Sequence, residues 1–196
     1  MQQLRWGLYC GFIPGFRRGE GSSIVEESAL VSVVIPVYCE AETLESLVSA
    51  IASEFEVLEF GFELIIVDDG STDRTWEALR VITERRAQVT GIRLSRRFGK
   101  EAALAAGLEA AGGDAVIVMD GDLQHPPDLL PVMLGVWKDD HADVVEAVRT
   151  SRGRESWLTR FTAEGFYAVM GGLSGTNLRH STDFKLLDRA VVDRWR

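Results

Sequence analysis

A continuous apolar run, Val31-Ser-Val-Val-Ile-Pro-Val-Tyr38, predicts a β-strand that is buried on both of its faces. Apolar residues then recur at helical spacing from Leu44 to Phe55, and Phe62-Glu-Leu-Ile-Ile-Val67 predicts a second buried strand. Because strands go on alternating with helices, we expect an α/β fold, a mostly parallel, Rossmann-like sheet flanked by helices. The pattern predicts further strands at 89–94, 115–119 and 142–148 and further helices around 76–82, 100–111 and 128–138.

The chain of 196 residues is acidic, with 30 Asp and Glu against 21 Lys and Arg and a net charge of −9. This balance disfavours nucleic acid as a partner, because affinity for a phosphate backbone comes from clustered Lys and Arg. Cys10 and Cys39 form neither a disulfide framework nor a metal-binding spacing, which is typical of a reducing compartment. Residues 1–29 lack periodic apolar spacing, so we expect a mobile leader there and one domain over residues 30–196.

Carboxylates follow three of the predicted strands. Glu40 comes after the first strand, Asp68-Asp-Gly-Ser-Thr-Asp73 after the second, and Asp120-Gly-Asp122 after the fourth. The carboxyl ends of parallel strands meet at one edge of a sheet, and carboxylates crowded there need a cation or hydrogen-bond donors. The two aspartates after the fourth strand, with the amide oxygen of Gln124, are hard oxygen ligands. They predict a Mg²⁺ or Mn²⁺ site that binds substrate phosphates.

Two of these stretches also have purely structural explanations. Asp68–Asp73 is typical of a turn in which Ser71 or Thr72 caps the next helix, and the macrodipole favours a carboxylate such as Glu40 at a helix start. No predicted strand is followed by Gly-x-Gly-x-x-Gly, which disfavours a dinucleotide-dependent oxidoreductase. The pair Gly99-Lys100 lacks the Ser or Thr and the upstream glycine of a phosphate-binding loop.

Five motifs, taken together, resemble the family 2 glycosyltransferases of the GT-A fold. The resemblance runs from about Val31 to Arg196 and is strongest to the branch that transfers sugars to polyprenyl phosphates, which includes dolichol-phosphate mannosyltransferases and bactoprenol glucosyltransferases. Three positions depart from the family pattern: Cys39 and Arg97 stand where Asn is usual, and Thr182 stands where Gly is usual. The motifs lie at 34–40, 67–73, 98–103, 119–127 and 183–188.

The resemblance implies roles for individual residues. It implies a base or orienting role near the acceptor for Asp183 and a catalytic as well as a metal-binding role for Asp122. Arg149, and Lys100 with it, would supply positive charge to the diphosphate. The implied metal ligands are Asp120, Asp122 and Gln124, and the implied donor-binding residues are Pro36, Tyr38, Glu40, Val67, Asp69, Lys100, Asp120, Gly121 and Arg149.

The implied activity is metal-dependent, inverting transfer of a sugar from a nucleotide sugar to undecaprenyl or dolichyl phosphate. The resemblance also implies that residues 30–196 are a glycosyltransferase catalytic domain that is shortened at its C-terminal end. Such a domain would work on the cytoplasmic side of the cell membrane and would contact the membrane through the missing C-terminal part. An amphipathic helix expected at 156–171 would contact the lipid or pack on the sheet. Three alternatives stay open: another acceptor such as a polysaccharide, a non-catalytic nucleotide-sugar-binding domain, and a haloacid-dehalogenase-like phosphatase, which also places Asp-x-Asp after an apolar strand.

Overall fold

The computed structural model describes residues 5–11, 29–122, 124–150 and 184–195 of the chain. In these residues, helices mostly alternate with strands, as the sequence predicts. The strands are β1 (Arg5–Gly11), β2 (Leu30–Val37), β3 (Gly61–Asp68), β4 (Val89–Arg93), β5 (Ala115–Val118), β6 (Val144–Thr150) and β7 (Lys185–Asp188). The helices are α1 (Leu44–Phe55), α2 (Thr75–Arg85), α3 (Lys100–Ala110), α4 (Leu130–Asp140), which follows a 3₁₀ turn at Pro127–Leu129, and α5 (Arg189–Trp195).

The strands form one seven-stranded sheet in the order β1-β6-β7-β5-β2-β3-β4. β2 pairs in parallel with β3 on one side and with β5 on the other, and β4 pairs in parallel with β3. β7 pairs antiparallel with both β5 and β6, and β1 pairs antiparallel with β6. The expected α/β fold is therefore confirmed, with the parallel pairing in the core of the sheet and antiparallel pairing beyond β5.

Helices cover both faces of this sheet, which explains why the apolar run of β2 is continuous. Val33 and Ile35 belong to the core cluster under α1, α2 and α4, whereas Val34 belongs to the cluster under α3 and α5. All three side chains are fully buried. Because successive side chains of a strand point to opposite faces, a strand covered on both faces carries apolar residues at successive positions rather than at alternate ones.

The N-terminal residues differ from the expected mobile leader. Arg5–Gly11 is an edge strand that pairs with β6 throughout its length, from Arg5 opposite Thr150 to Gly11 opposite Val144. Trp6 and Leu8 are half-buried and pack against the core under α1, which fixes the strand to the domain. The expectation is therefore wrong for this segment. Its apolar alternation is short and interrupted by glycine, and its partner strand lies far along the chain, so local spacing does not reveal it.

Candidate functional site

An open cleft lies at the carboxyl ends of β2, β3 and β5. The strand order reverses at this place, because β3 and β5 lie on opposite sides of β2. In α/β sheets such a reversal leaves a crevice between the crossover connections, and ligands bind there. The cleft is lined by Pro36, Val37, Tyr38, Glu40, Asp69, Arg97, Lys100, Asp120, Gly121 and Asp122.

The end of β2 is held against the turn that follows β3. Cys39 has a φ of 58°, in the left-handed region, and its N–H donates to Oγ of Ser71 at 2.9 Å. The N–H of Glu40 donates to Oγ1 of Thr75, also at 2.9 Å. Asn is the non-glycine residue that tolerates left-handed backbone best, so the structure gives a backbone reason for the family's Asn at position 39.

The turn after β3 is built by its own aspartates. Oδ1 of the buried Asp68 accepts the N–H of Ser71 at 2.8 Å. Oδ1 of Asp73 accepts the N–H of Thr75 at 3.0 Å and the hydroxyl of the same residue at 2.6 Å. Asp73, rather than the Ser71 or Thr72 hydroxyl, therefore satisfies the first turn of α2. The structural explanation thus holds for Asp68 and Asp73.

Two groups at this edge of the sheet have shifted pKa values. Partial burial raises the pKa of Asp73, but the hydrogen bonds from Thr75 outweigh it and hold this pKa below its ordinary value of 3.8. Hydrogen bonds from the Thr72 backbone, and next from the Thr72 hydroxyl, lower the pKa of the Cys39 thiol below 9.0. The Cys39 side chain is exposed beside the cleft.

Asp69 fixes the loop between β4 and α3. Its Oδ1 accepts the N–H of Phe98 at 2.7 Å, and its Oδ2 accepts the N–H of Gly99 at 2.9 Å. Next to it, Gly70 has a φ of 66°, and a Cβ at this position would lie 2.4 Å from the carbonyl carbon of Arg96. Only glycine permits both the conformation and the approach. Asp69 thus has two roles: it lines the cleft, and both oxygens of its carboxylate accept hydrogen bonds that fix the neighbouring loop.

Asp120 is surrounded by contacts that fix its position at the end of β5. Its carboxylate forms an ion pair with Lys100, the first residue of α3. Its N–H donates to Nδ1 of the buried His125 at 3.0 Å. The His125 ring stacks on Phe184 at a centroid distance of 5.0 Å, and the Trp6 ring meets it edge-on at 5.9 Å. The edge strand β1 is thus linked to the cleft through one histidine.

Asp122 lines the same cleft and is exposed, and its Oδ1 accepts the backbone N–H of Gln124 at 3.0 Å. The side chain of Gln124 is also exposed, but it does not line the cleft with the other two expected ligands. Within the described part of the chain, no three His, Cys, Asp or Glu side chains are grouped to hold a metal ion. Two carboxylates in one cleft nevertheless fit an ion such as Mg²⁺, which takes one or two carboxylates and completes its shell with water and substrate phosphates.

Arg97 lines the cleft although it was not among the expected site residues. Its guanidinium carbon lies 4.2 Å from the centroid of the Tyr38 ring, and Arg96 beside it lies in the same way over Phe98, at 4.8 Å. Of these two arginines, only Arg97 reaches the cleft. The signal in the sequence was its departure from the Asn that is usual at this position.

The structure brings most of the expected residues together, but not all. Val67 is fully buried, and its Cγ2 faces Gly107 of α3, so its side chain belongs to the core and does not line the cleft. The alternation of β3 points this side chain toward α3. Arg149 lies in β6 with its backbone opposite Trp6. Asp183 and the helix expected at 156–171 lie outside the described residues.

Comparison with known sequences identifies related proteins. Residues 32–194 match the family described as "Glycosyl transferase family 2". A protein of Synechocystis sp. described as an uncharacterized glycosyltransferase is 41% identical over 164 residues, which are 83% of this chain and 51% of that protein. The bactoprenol glucosyl transferase of Shigella phage SfV is 35% identical over 164 residues, 83% of this chain and 53% of that protein. The chain thus spans about half the length of these curated relatives.

Solved structures with the same fold include a mannosyltransferase and a synthase. The mannosyltransferase PcManGT from Pyrobaculum calidifontis, in complex with GDP-Man and Mn²⁺, has a TM-score of 0.56 at 22% identity, covering 85% of this chain and 46% of that chain. The glucosyl-3-phosphoglycerate synthase of M. tuberculosis has a TM-score of 0.53 at 25% identity, covering 82% of this chain and 58% of that chain. In the parts of our chain that are described, no helix is both long and apolar enough to cross a bilayer.

Proposed function

The chain belongs to glycosyl transferase family 2, and from this premise we propose that its cleft binds a nucleotide sugar whose sugar is transferred to a polyprenyl phosphate. The observation that carries the proposal is that the residues at the carboxyl ends of β2, β3 and β5 converge on one cleft. They bring an aromatic ring, Tyr38, and four carboxylates into one crevice of the sheet. The carboxylates are those of Glu40, Asp69, Asp120 and Asp122.

A nucleotide sugar fits this cleft in one direction. Asp120 and Asp122 follow β5 at one end, so a cation bound there places the diphosphate at that end. The nucleoside then extends over the ends of β2 and β3, where Tyr38 offers an aromatic face. PcManGT in complex with GDP-Man and Mn²⁺, and a synthase in complex with UDP-Glc and Mn²⁺, share the fold and support this choice of ligand.

Positive charge at the diphosphate would come from a metal ion and from cations of the chain itself. Asp120 and Asp122 would hold Mg²⁺ or Mn²⁺, which supplies Lewis-acid charge to the departing nucleoside diphosphate. Lys100 adds a cation of the chain itself, because its ion pair with Asp120 keeps the ammonium at this end of the cleft. Arg149 stays a proposed phosphate contact.

The proposed acceptor is undecaprenyl or dolichyl phosphate, and the proposed location is the cytoplasmic side of the membrane. The support is the 35% identity to a bactoprenol glucosyl transferase. A phosphate monoester with a second pKa near 6 is already an anion at neutral pH, so its oxygen attacks without a strong base. The new bond forms on the face of the anomeric carbon opposite the breaking one, and the nucleoside diphosphate leaves with the electron pair. Asp183 is proposed to orient this acceptor.

The three alternative functions that the sequence leaves open are distinguished by different observations. Membership in family 2 excludes the haloacid-dehalogenase-like phosphatase, because it accounts for Asp-x-Asp after the fourth parallel strand. A polysaccharide acceptor would keep the donor site and change only the product. A non-catalytic domain would bind the donor and make no product at all.

The test combines donor binding with product analysis. The chain is titrated calorimetrically with UDP-glucose, GDP-mannose and dTDP-glucose, with Mn²⁺ and then with EDTA, and incubated with undecaprenyl phosphate in detergent. We expect one donor to bind in Mn²⁺ and a sugar-linked polyprenyl phosphate to appear in the mass spectrum. Failure of every donor to bind would contradict the donor site. Donor binding with transfer only to a polysaccharide would contradict the proposed acceptor, and donor binding with no transfer to either acceptor would favour the non-catalytic alternative.

A further inference from the structure

Arg97 lines the cleft, and its guanidinium lies over an aromatic ring there. It lies 4.2 Å from the centroid of the Tyr38 ring, and it has no hydrogen-bond or ion-pair partner among the residues that the structure describes. Lys100, the other cation that lines the cleft, is paired with Asp120. A guanidinium carries five N–H donors, and the cation–π contact with the ring satisfies none of them, so they are available to an acceptor in the cleft.

The position of Arg97 in the sheet favours the base of the nucleotide over the diphosphate. The order of the parallel strands is β5-β2-β3-β4, and Asp120 and Asp122 follow β5. Arg97 follows β4, at the opposite end, and reaches back to Tyr38 after β2. A nucleotide with its diphosphate at the β5 end therefore has its base at the end where Arg97 lies.

The backbone of Arg97 is also fixed before any ligand arrives. Asp69 accepts the N–H groups of the next two residues, Phe98 and Gly99, at 2.7 and 2.9 Å. On the other side, a Cβ at Gly70 would lie 2.6 Å from the backbone nitrogen of Arg97, so the loop packs directly on this glycine. A recognition group on an anchored loop loses little conformational freedom when it binds, which makes it selective.

We infer that Arg97 determines which nucleobase the cleft accepts, by donating to a carbonyl oxygen at position 4 of a pyrimidine or position 6 of a purine. A guanidinium has donors and no acceptor, so it binds the carbonyl of uracil, thymine or guanine there. Cytosine and adenine carry an amino donor at the same place and leave the guanidinium unsatisfied. The inference rests on the proposed function, because it requires a nucleotide in the cleft.

The test compares bases that differ only in this group. UDP is compared with CDP, and GDP with ADP, by calorimetry in Mn²⁺ on the unaltered chain and on R97N and R97K. The matched control is R96N, because Arg96 stacks on Phe98 in the same way but lies outside the cleft. We expect the unaltered chain to prefer the carbonyl-bearing member of at least one pair by about tenfold or more.

The expected change is specific to the base. R97N should lose this preference, because its affinity for UDP or GDP falls while its affinity for CDP or ADP stays the same. R97K should retain at most part of the preference, since an ammonium lacks the planar fork of donors. R96N should keep the full preference. Equal weakening of both members by R97N would assign Arg97 to the phosphates and overturn the inference, as would no change at all. If the unaltered chain binds no nucleotide, both the proposed function and this inference are wrong. If R97N binds nucleotides with an unchanged preference, only this inference is wrong.

Discussion

Lys100 and Asp120 form an ion pair that joins the first turn of α3 to the end of β5. Both side chains are partly exposed, at 35% and 29%, so water screens the pair and a divalent ion can compete for the carboxylate. The chain thus carries a cation of its own beside the proposed metal position. Lys100 therefore contributes, together with Arg97, to the charge balance of the cleft before and after metal binding.

Replacement of Asp122 by Asn should remove most of the donor binding that depends on a divalent ion. Asp122 is one of two carboxylates at the β5 end of the cleft, and a neutral amide there leaves a weaker ligand for the ion. Calorimetry in Mn²⁺ and in EDTA measures this change. D139N, on the exposed side of α4, is the control and should behave like the unaltered chain. Full-strength donor binding in EDTA would show that the ion is not required.

Replacement of Lys100 by Met should separate metal binding from nucleotide binding. Without the ion pair, Asp120 is freer to bind Mn²⁺, so affinity for the ion alone should rise by up to about fivefold. Affinity for a nucleoside diphosphate in EDTA should fall, because the cleft loses a cation. Titrations of Mn²⁺ and of UDP measure the two effects separately. K138M is the control, since Lys138 belongs to α4 and lies over the Phe60 ring. The same change in K100M and K138M would argue against a role of the Lys100–Asp120 ion pair.

Replacement of Trp6 by Ala should destabilise the domain, in contrast to the expectation for a mobile leader. Trp6 packs against the core and meets His125 edge-on, so the loss should be about 2 kcal/mol in the free energy of unfolding. Urea denaturation followed by circular dichroism measures this. Tyr9 on the same strand is 58% exposed, and Y9A should change stability by less than about 0.5 kcal/mol. Equal stability of W6A and the unaltered chain would show that β1 contributes nothing.

Alanine should have opposite effects at two helical glycines. A Cβ at Gly107 in α3 would lie 2.3 Å from Cγ1 of Val34, so G107A should cost about 1–3 kcal/mol through overpacking. A Cβ at Gly135 in α4 meets nothing within 4 Å, so G135A should stabilise by about 0.5–1 kcal/mol through helix propensity. Urea denaturation of both variants is the measurement. Stabilisation by G107A would mean that α3 lies farther from the sheet.

The contribution of Asp73 should depend on pH in a defined direction. Its pKa lies below the ordinary 3.8, so the ionised carboxylate stabilises the folded chain above the pKa of the unfolded chain, and this contribution disappears as the pH falls through the folded value. D73A should therefore unfold more easily than the unaltered chain at pH 7, and the difference should shrink below about pH 4. Thermal melts across this range test it, with D139A as a control whose small effect stays constant. A difference that grows in acid would reverse the assigned sign.

The sequence predicts the elements whose pattern is local. Leu44–Phe55 is an example, because the apolar residues at helical spacing are all buried in one helix: Leu44, Leu47, Val48, Ile51 and Phe55. The strand-end rule brings carboxylates after three strands to one cleft, since parallel strands with helical crossovers leave few other arrangements. Local spacing and a general rule of topology were enough for both.

The remaining features depend on contacts between distant parts of the chain. The strand containing Trp6 is defined by its pairing with β6, and nothing near it in sequence contains that information. The motif predicts a place for Val67 in the nucleoside pocket, but the surroundings of a strand side chain depend on which helix covers its face of the sheet, and here α3 covers it. Arg97 reaches Tyr38 through a loop whose shape is set by Asp69 and Gly70.

The insertion of β7 between β5 and β6 has a consequence for the order in which the chain is assembled on the ribosome. β2 to β5 are made early and pair in parallel among themselves. Among the strands that the structure describes, β6 and β1 join this group only through Lys185–Asp188, so their place in the sheet waits until that strand has emerged. Until then the apolar edge of β5 is unpaired, and unpaired edges invite association with other chains. The nascent domain is therefore most vulnerable to aggregation between the synthesis of β5 and that of β7.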